Sequence, residues 1–137
     1  MKTIIKNATA TSPFLELNGE KGKITINGRA IDYNPSDFWN SIFNWATDYM
    51  ESSSEAITIN LNFEYINTLS TKKLFTLLKL IEFNAGKKMN IKINWICDMD
   101  DEDMIELGED INSLLTCKMN FVCSYELFGC SPEANAA

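Results

Sequence analysis

The sequence predicts an α/β domain: a mixed, mostly parallel sheet with an N-terminal hairpin and three main helices gathered largely on one face. Three observations predict it. Apolar residues alternate with polar ones in several short segments, the period of half-buried strands. Between those segments lie longer stretches with apolar residues at helical spacing. The order that results, β-β-α-β-α-β-α-β, implies right-handed crossovers and parallel pairing after the first hairpin. A parallel sheet covered on both faces would read as continuous apolar runs. Here Thr58, Asn60, Asn62, Lys92, Asn94 and Asn120 occupy the alternate positions, so the second face is expected to be at least partly wet.

At 137 residues the chain is long enough for one domain with a proper core. Residues 1–10 read as a flexible N-terminal arm, 11–128 as the domain and 129–137 as a small, polar, flexible tail. Phe14, Leu15 and Leu17 open the first strand. Asn18-Gly19-Glu20-Lys21-Gly22 is a turn, and Lys23 to Asn27 pairs back across it. The first helix is expected to start with Asn34 as N-cap and Pro35 in the first position, and Asp37 favours its first turn. Phe38, Trp39, Ile42, Phe43, Trp45, Ala46, Tyr49 and Met50 form its apolar stripe; tryptophans at helical spacing pack a core.

In the next strand Ile57, Ile59, Leu61 and Phe63 alternate with Thr58, Asn60, Asn62 and Glu64. The turn Asn67-Thr68-Leu69-Ser70 follows, then a helix from about Ser70 to Ala85, closed by Gly86. Met89, Ile91, Ile93 and Trp95 mark another one-sided strand. The third helix is expected over about 100–115, with Met104, Ile105, Leu107, Ile111, Leu114 and Leu115 on its buried side and Gly108 as a weak point. The last strand spans about 119–125.

Composition excludes several functions. The formal net charge is −7, and Arg29 is the single arginine. Phosphate neutralisation needs clustered cations, so nucleic acid and anionic membranes are poor partners. There is no histidine, which removes the commonest general base and metal ligand and makes a Ser-His-Asp or Cys-His centre impossible within the chain. Cys97, Cys117, Cys123 and Cys130 form no C-x-x-C pair and read as reduced thiols, mostly buried. No secretory leader or membrane-length apolar window is legible, so a cytoplasmic protein is expected. No cofactor or metal is expected. Asp98, Asp100, Glu102, Glu106 and Glu109 have the spacing of calcium-loop ligands, but Asp103 stands where such a loop needs glycine. The run reads as a solvated face or as a docking surface for a basic partner.

The turn at Thr68 is where chemistry can be placed. A hydroxyl just before a helix stands where backbone N–H groups and the helix dipole favour an anion. The residues alone leave three readings: a simple turn and N-cap, a nucleophile without a base, or a phosphoacceptor whose base is supplied by a kinase. Lys72 and Lys73, expected in the first helical turn, oppose the dipole there; they read either as surface lysines or as partners for a phosphate or an acidic residue.

The chain resembles the SiaC family of bacterial regulatory phosphoproteins, which are STAS-like and related in fold to anti-sigma-factor antagonists. The resemblance covers about residues 8–125. It rests on Thr11-Ser12-Pro13, on Ile26-Asn27-Gly28-Arg29 followed by Asn34-Pro35 and the Phe38-Trp39 to Trp45 helix, and above all on Tyr65-Ile66-Asn67-Thr68-Leu69-Ser70-Thr71-Lys72. It implies that Thr68 is phosphorylated, and that Asn67, Leu69, Ser70, Lys72 and Lys73 belong to a partner-binding surface. Leu69 departs from the family pattern, which often has a second small hydroxyl residue there. The resemblance implies three partners: a protein kinase, a metal-dependent serine/threonine phosphatase, and a diguanylate cyclase or other signalling target that the unphosphorylated form binds and activates. The chain is expected to act as a monomer and not as an enzyme. The alternatives are an anti-sigma-factor antagonist and, from another class, a small enzyme using Thr68 or the acidic cluster.

Overall fold

The structure, a computed structural model, describes residues 3–52 and 55–125. Within them one six-stranded sheet runs in the order β1 (Ile4–Lys6), β2 (Phe14–Asn18), β3 (Lys23–Ala30), β4 (Ala56–Ile66), β5 (Asn90–Asp98) and β6 (Asn120–Ser124). The pairs β1–β2 and β2–β3 are antiparallel; β3–β4, β4–β5 and β5–β6 are parallel. Helices α1 (Ser36–Glu51), α2 (Thr68–Ala85) and α3 (Glu102–Ser113) make the three crossovers. Each crossover steps one strand further in the same direction, so right-handed connections place all three helices on one face.

The core sits under that face. Leu15, Leu17, Ile24, Ile26, Ile57, Ile59, Leu61, Phe63, Ile93 and Trp95 point into it from alternate strand positions, beneath Trp39, Ile42, Leu74, Leu77, Leu78 and Ile81 of α1 and α2. Burying each such side chain contributes roughly 1.5–3 kcal/mol. On the open face an amide ladder crosses three strands: Asn94 Nδ2 donates to Asn60 Oδ1 at 2.7 Å, and Asn120 Nδ2 to Asn94 Oδ1 at 3.3 Å.

Two glycines answer to close approach. Gly22, at φ +62°, ends the hairpin turn where a Cβ would collide with the Tyr49 hydroxyl. Gly108 looked like a weak point in the sequence. Its bare backbone is what lets α3 lie on β5, because a Cβ there would stand 2.5 Å from Trp95 Nε1 and 2.9 Å from the Phe121 ring. The helix gives up about 1 kcal/mol of propensity relative to alanine for that contact.

The structure corrects the sequence reading in several places. Residues 4–6, read as part of a loose arm, form edge strand β1, because β2 offers them a free row of backbone groups. α1 starts one residue later than expected. Asn34 lies in a turn, its N–H donating to Asp32 Oδ1, and Pro35 takes the cap position with no side-chain cap bond. α2 starts at Thr68 and not near Ser70, with Asn67 as its cap. Lys72 and Lys73 are therefore the fifth and sixth residues of α2, beyond the first turn, and the dipole cost expected of them falls away. Leu114 is 61% exposed, because α3 has ended and the helical period no longer aims it inward; Leu115 is buried instead. Cys97, Cys117 and Cys123 are free thiols. Cys130 and the expected tail 129–137 lie outside the described residues.

At the end of the molecule far from Thr68, Glu82 holds the loop between α3 and β6 by accepting from the Cys117 N–H at 2.7 Å. Burial pushes its carboxyl up, but the N–H groups of Cys117 and Thr116 and the Lys79 ammonium outweigh burial and leave it below the usual carboxylate range.

Candidate functional site

The parallel strands β3, β4 and β5 all end at one edge of the sheet, and each feeds a helix there. The turn between β4 and α2 lies at this edge and is tied down by hydrogen bonds from Asn67. Its N–H donates to Ala30 O and its Nδ2 to Asp32 O, both at 2.9 Å, joining the turn to the neighbouring β3–α1 loop. Its Oδ1 accepts from the Ser70 N–H at 2.9 Å, a side-chain N-cap. Its carbonyl accepts from the Thr71 N–H at 2.9 Å and from the Thr71 hydroxyl at 2.8 Å.

The hydroxyl residues of the turn thus differ in kind. Thr68 is exposed at the first helical position, and because Asn67 does the capping, its hydroxyl is not the cap. Ser70 is only 1% exposed, and its Oγ accepts from Trp39 Nε1 at 3.2 Å, linking α2 to α1 inside the core. Ser70 was expected on a partner-binding surface. It is instead a positioning residue, because the first turn of α2 rolls it inward. Asn67 is half-buried with both ends of its amide engaged, so it too shapes the turn from within.

What the turn presents outward is Thr68, Leu69 at 49% exposure and Lys72, with Lys73 half-buried behind. Lys72 stands four residues after Thr68, one turn along the same helix face.

Sequence reasoning missed Tyr65. The β3–β4 register shifts between Gly28 and Arg29: Gly28 pairs with Phe63 and Arg29 with Tyr65. Glu64 is the extra residue of a bulge, which breaks the alternation and turns both Glu64 and Tyr65 outward. Tyr65 is 62% exposed, where strict alternation from Phe63 would have buried it. Tyr65 and Ile66 also line a cleft of about 240 Å³ together with Glu64, Asp101, Asp103, Met104 and Leu107. The carboxylates of that cleft disfavour an anion within it, whereas Lys72 lies one helical turn from Thr68.

The acidic run serves α3. Asp101 Oδ1 caps it by accepting from the Met104 N–H at 3.1 Å, and Glu102 and Asp103 occupy its first turn. Among the described residues no group of three or more Cys, Asp or Glu is arranged to hold a metal ion, and no helix is long and apolar enough to cross a membrane.

The profile of a family described as SiaC family regulatory phosphoprotein matches residues 6–124. The chain belongs to this SiaC family. A curated protein of Pseudomonas aeruginosa strain UCBPP-PA14, itself uncharacterised, is 21% identical over 102 residues, which is 74% of this chain and 81% of that protein. Among solved structures the fold is similar to SiaC of Pseudomonas aeruginosa, with a TM-score of 0.83 at 17% identity over 90% of this chain and 99% of that one. It is equally similar, with a TM-score of 0.83 at 18% identity over 88% and 98% of the two chains, to a chain in the crystal structure of the diguanylate cyclase SiaD in complex with its activator SiaC, from the same species. This chain is thus a regulatory phosphoprotein of the SiaC family with that family's fold.

Proposed function

We propose that this SiaC-family protein is a partner switch set by phosphorylation of Thr68, whose unphosphorylated form binds and activates a diguanylate cyclase. A protein kinase adds the phosphate, and a metal-dependent serine/threonine phosphatase removes it. The protein works in the cytoplasm as a monomer, without a catalytic centre of its own. The observation that carries this reading is the exposed Thr68 hydroxyl at the first position of a helix already capped by Asn67. The activator role of SiaC toward SiaD in Pseudomonas aeruginosa supports the choice of target.

The physical sequence is as follows. The dephosphorylated turn offers Leu69 and Tyr65 as apolar contacts around a neutral hydroxyl. Phosphate brings about −1.5 to −2 charges and three acceptor oxygens. The α2 dipole and Lys72 offset that charge within the free protein, so the fold survives. A target packed on the turn must desolvate it, and a loss of about 3 kcal/mol weakens binding roughly a hundredfold. Ser70 is withheld from a kinase by burial, and Thr71 by its bond to the Asn67 carbonyl.

The test is phosphosite mapping after incubation with the kinase of the same organism, followed by binding of both forms to its diguanylate cyclase and measurement of cyclic di-GMP synthesis. Phosphate on Thr68 and binding by the unmodified form alone are expected. Modification elsewhere, or equal binding by the two forms, overturns the reading.

A further inference from the structure

We propose that Cys97 and Cys123 form an oxidation site, closing to an intramolecular disulfide when the protein meets a small-molecule disulfide such as oxidised glutathione. The two residues are register partners on β5 and β6, and their sulfurs stand 3.8 Å apart. Adjacent strands lie about 4.8 Å apart, which puts paired Cα atoms inside the roughly 4.4–6.8 Å window that a disulfide spans. Rotation of the two side chains, with a small shift of edge strand β6, brings the sulfurs to bonding distance. Among the described residues β6 pairs with β5 alone, so of the two strands it is the one better able to make that shift.

The thiols are unequal, and this sets the order of steps. Cys123 is half-buried, whereas Cys97 is 1% exposed. Cys123, as the thiolate, attacks one sulfur of the small disulfide. A mixed disulfide forms, and one glutathione thiolate leaves and takes up a proton. Cys97 then gives its proton to solvent and attacks Cys123 Sγ, and the second glutathione leaves as its thiol. Two protein thiols are oxidised and one small disulfide is reduced to two thiols, so no other oxidant is needed.

The second step is the slow one. Burial pushes the Cys97 thiol up to about 12, helped by the facing Cys123 on β6 and by the carboxylates of Asp101 at the cap of α3 and Asp98 on β5. Closure should therefore quicken about tenfold per pH unit through the neutral range, as the thiolate fraction rises. The bond would pin β6 to β5 beside the backbone bond from the Met99 N–H to Ser124 O, at the sheet edge that carries Thr68. Cys117 is placed differently, its thiol donating to Ile91 O at 3.4 Å near the start of β5.

The experiment incubates the reduced full chain with oxidised glutathione at pH 7.5 and 8.5, blocks the remaining thiols in acid, and maps peptides without reduction. Combined cleavage after acidic residues and after lysine separates all four cysteines, because Asp98, Lys118 and Glu126 lie between successive ones. A Cys97–Cys123 linked peptide is expected as the main oxidised product, forming about tenfold faster at the higher pH. Cys97→Ser should stop at a glutathione adduct on Cys123, and Cys123→Ser should leave Cys97 reduced. If either variant fails to fold, the wild-type map still decides. Retention of all four thiols, a lasting adduct on wild-type Cys123, or pairing of Cys123 with Cys117 or Cys130 overturns the proposal.

Discussion

Helices α2 and α3 follow adjacent parallel strands and begin at the same sheet edge, yet they solve the same electrostatic problem in opposite ways. Both are capped by a side-chain oxygen: Asn67 Oδ1 on the Ser70 N–H, Asp101 Oδ1 on the Met104 N–H. The α3 cap is a carboxylate, and two more carboxylates, Glu102 and Asp103, fill the first turn. The α2 cap is a neutral amide, and its first turn holds no acidic residue. α3 thus carries its compensating negative charge permanently. α2 leaves its positive end open and puts a hydroxyl there. The difference teaches where a charge can be added after folding without opposing the fold: at the helix start that lacks one.

The largest expected effect is all-or-none. Thr68→Ala should abolish phosphate incorporation by the kinase while the protein stays folded. Glu102→Thr gives α3 a hydroxyl at the same helical position, but among Asp101 and Asp103, and it should gain no phosphate. Intact-mass measurement after kinase treatment reads both. A phosphorylated Glu102→Thr protein would break the comparison.

Next come the bonds that hold the two turns. Asn67→Ala removes a cap and the bond to Asp32 O, and should lower unfolding free energy by about 2 kcal/mol in urea titrations. Ser70→Ala leaves the buried Trp39 Nε1 without its acceptor and should cost a similar amount, roughly 1–3 kcal/mol, without touching phosphorylation at Thr68. Asp101→Ala removes only a cap and should cost about 1 kcal/mol. Equal losses for Asn67→Ala and Asp101→Ala would show that the tie to the β3–α1 loop adds nothing.

The smallest effect is the most discriminating. Lys72→Ala should be nearly silent in the unmodified protein, since Lys72 lies beyond the first turn of α2. In the phosphorylated form it should cost about 0.3–0.5 kcal/mol, the size of an exposed pair one helical turn apart. Thermal unfolding of both forms, with and without added salt, measures the difference.

Much of this was legible in the sequence. The strand alternation from Ile57 to Phe63 and the helical spacing from Leu74 to Ile81 each report a local geometry that repeats along the chain. The amides and lysine between the apolar strand positions announced an open face. Asn67-Thr68 stood out because a hydroxyl between a strand and an apolar helix is a local pattern as well, and the family resemblance gave it a role. Beyond the helix ends, where local turns shifted Asn34 and Leu114, the expectations that failed depended on contacts between distant residues. Ile4–Lys6 is a strand only because β2 presents a free edge. Ser70 is buried because Trp39, thirty-one residues earlier, needs an acceptor. Gly108 is required by Trp95, and Tyr65 turns outward because β3 and β4 slip by one residue at Gly28.

The sequence by itself determined the elements from β2 onward, their order, the wet and dry faces of the sheet, and the turn that carries Thr68. Only the tertiary structure decided which hydroxyl of that turn is offered, which apolar residues flank it, and that Cys97 meets Cys123. Periodicity is set residue by residue, through backbone geometry and side-chain direction. Exposure at a turn is set by register and by hydrogen bonds to partners far along the chain, and neither leaves a mark in the local pattern.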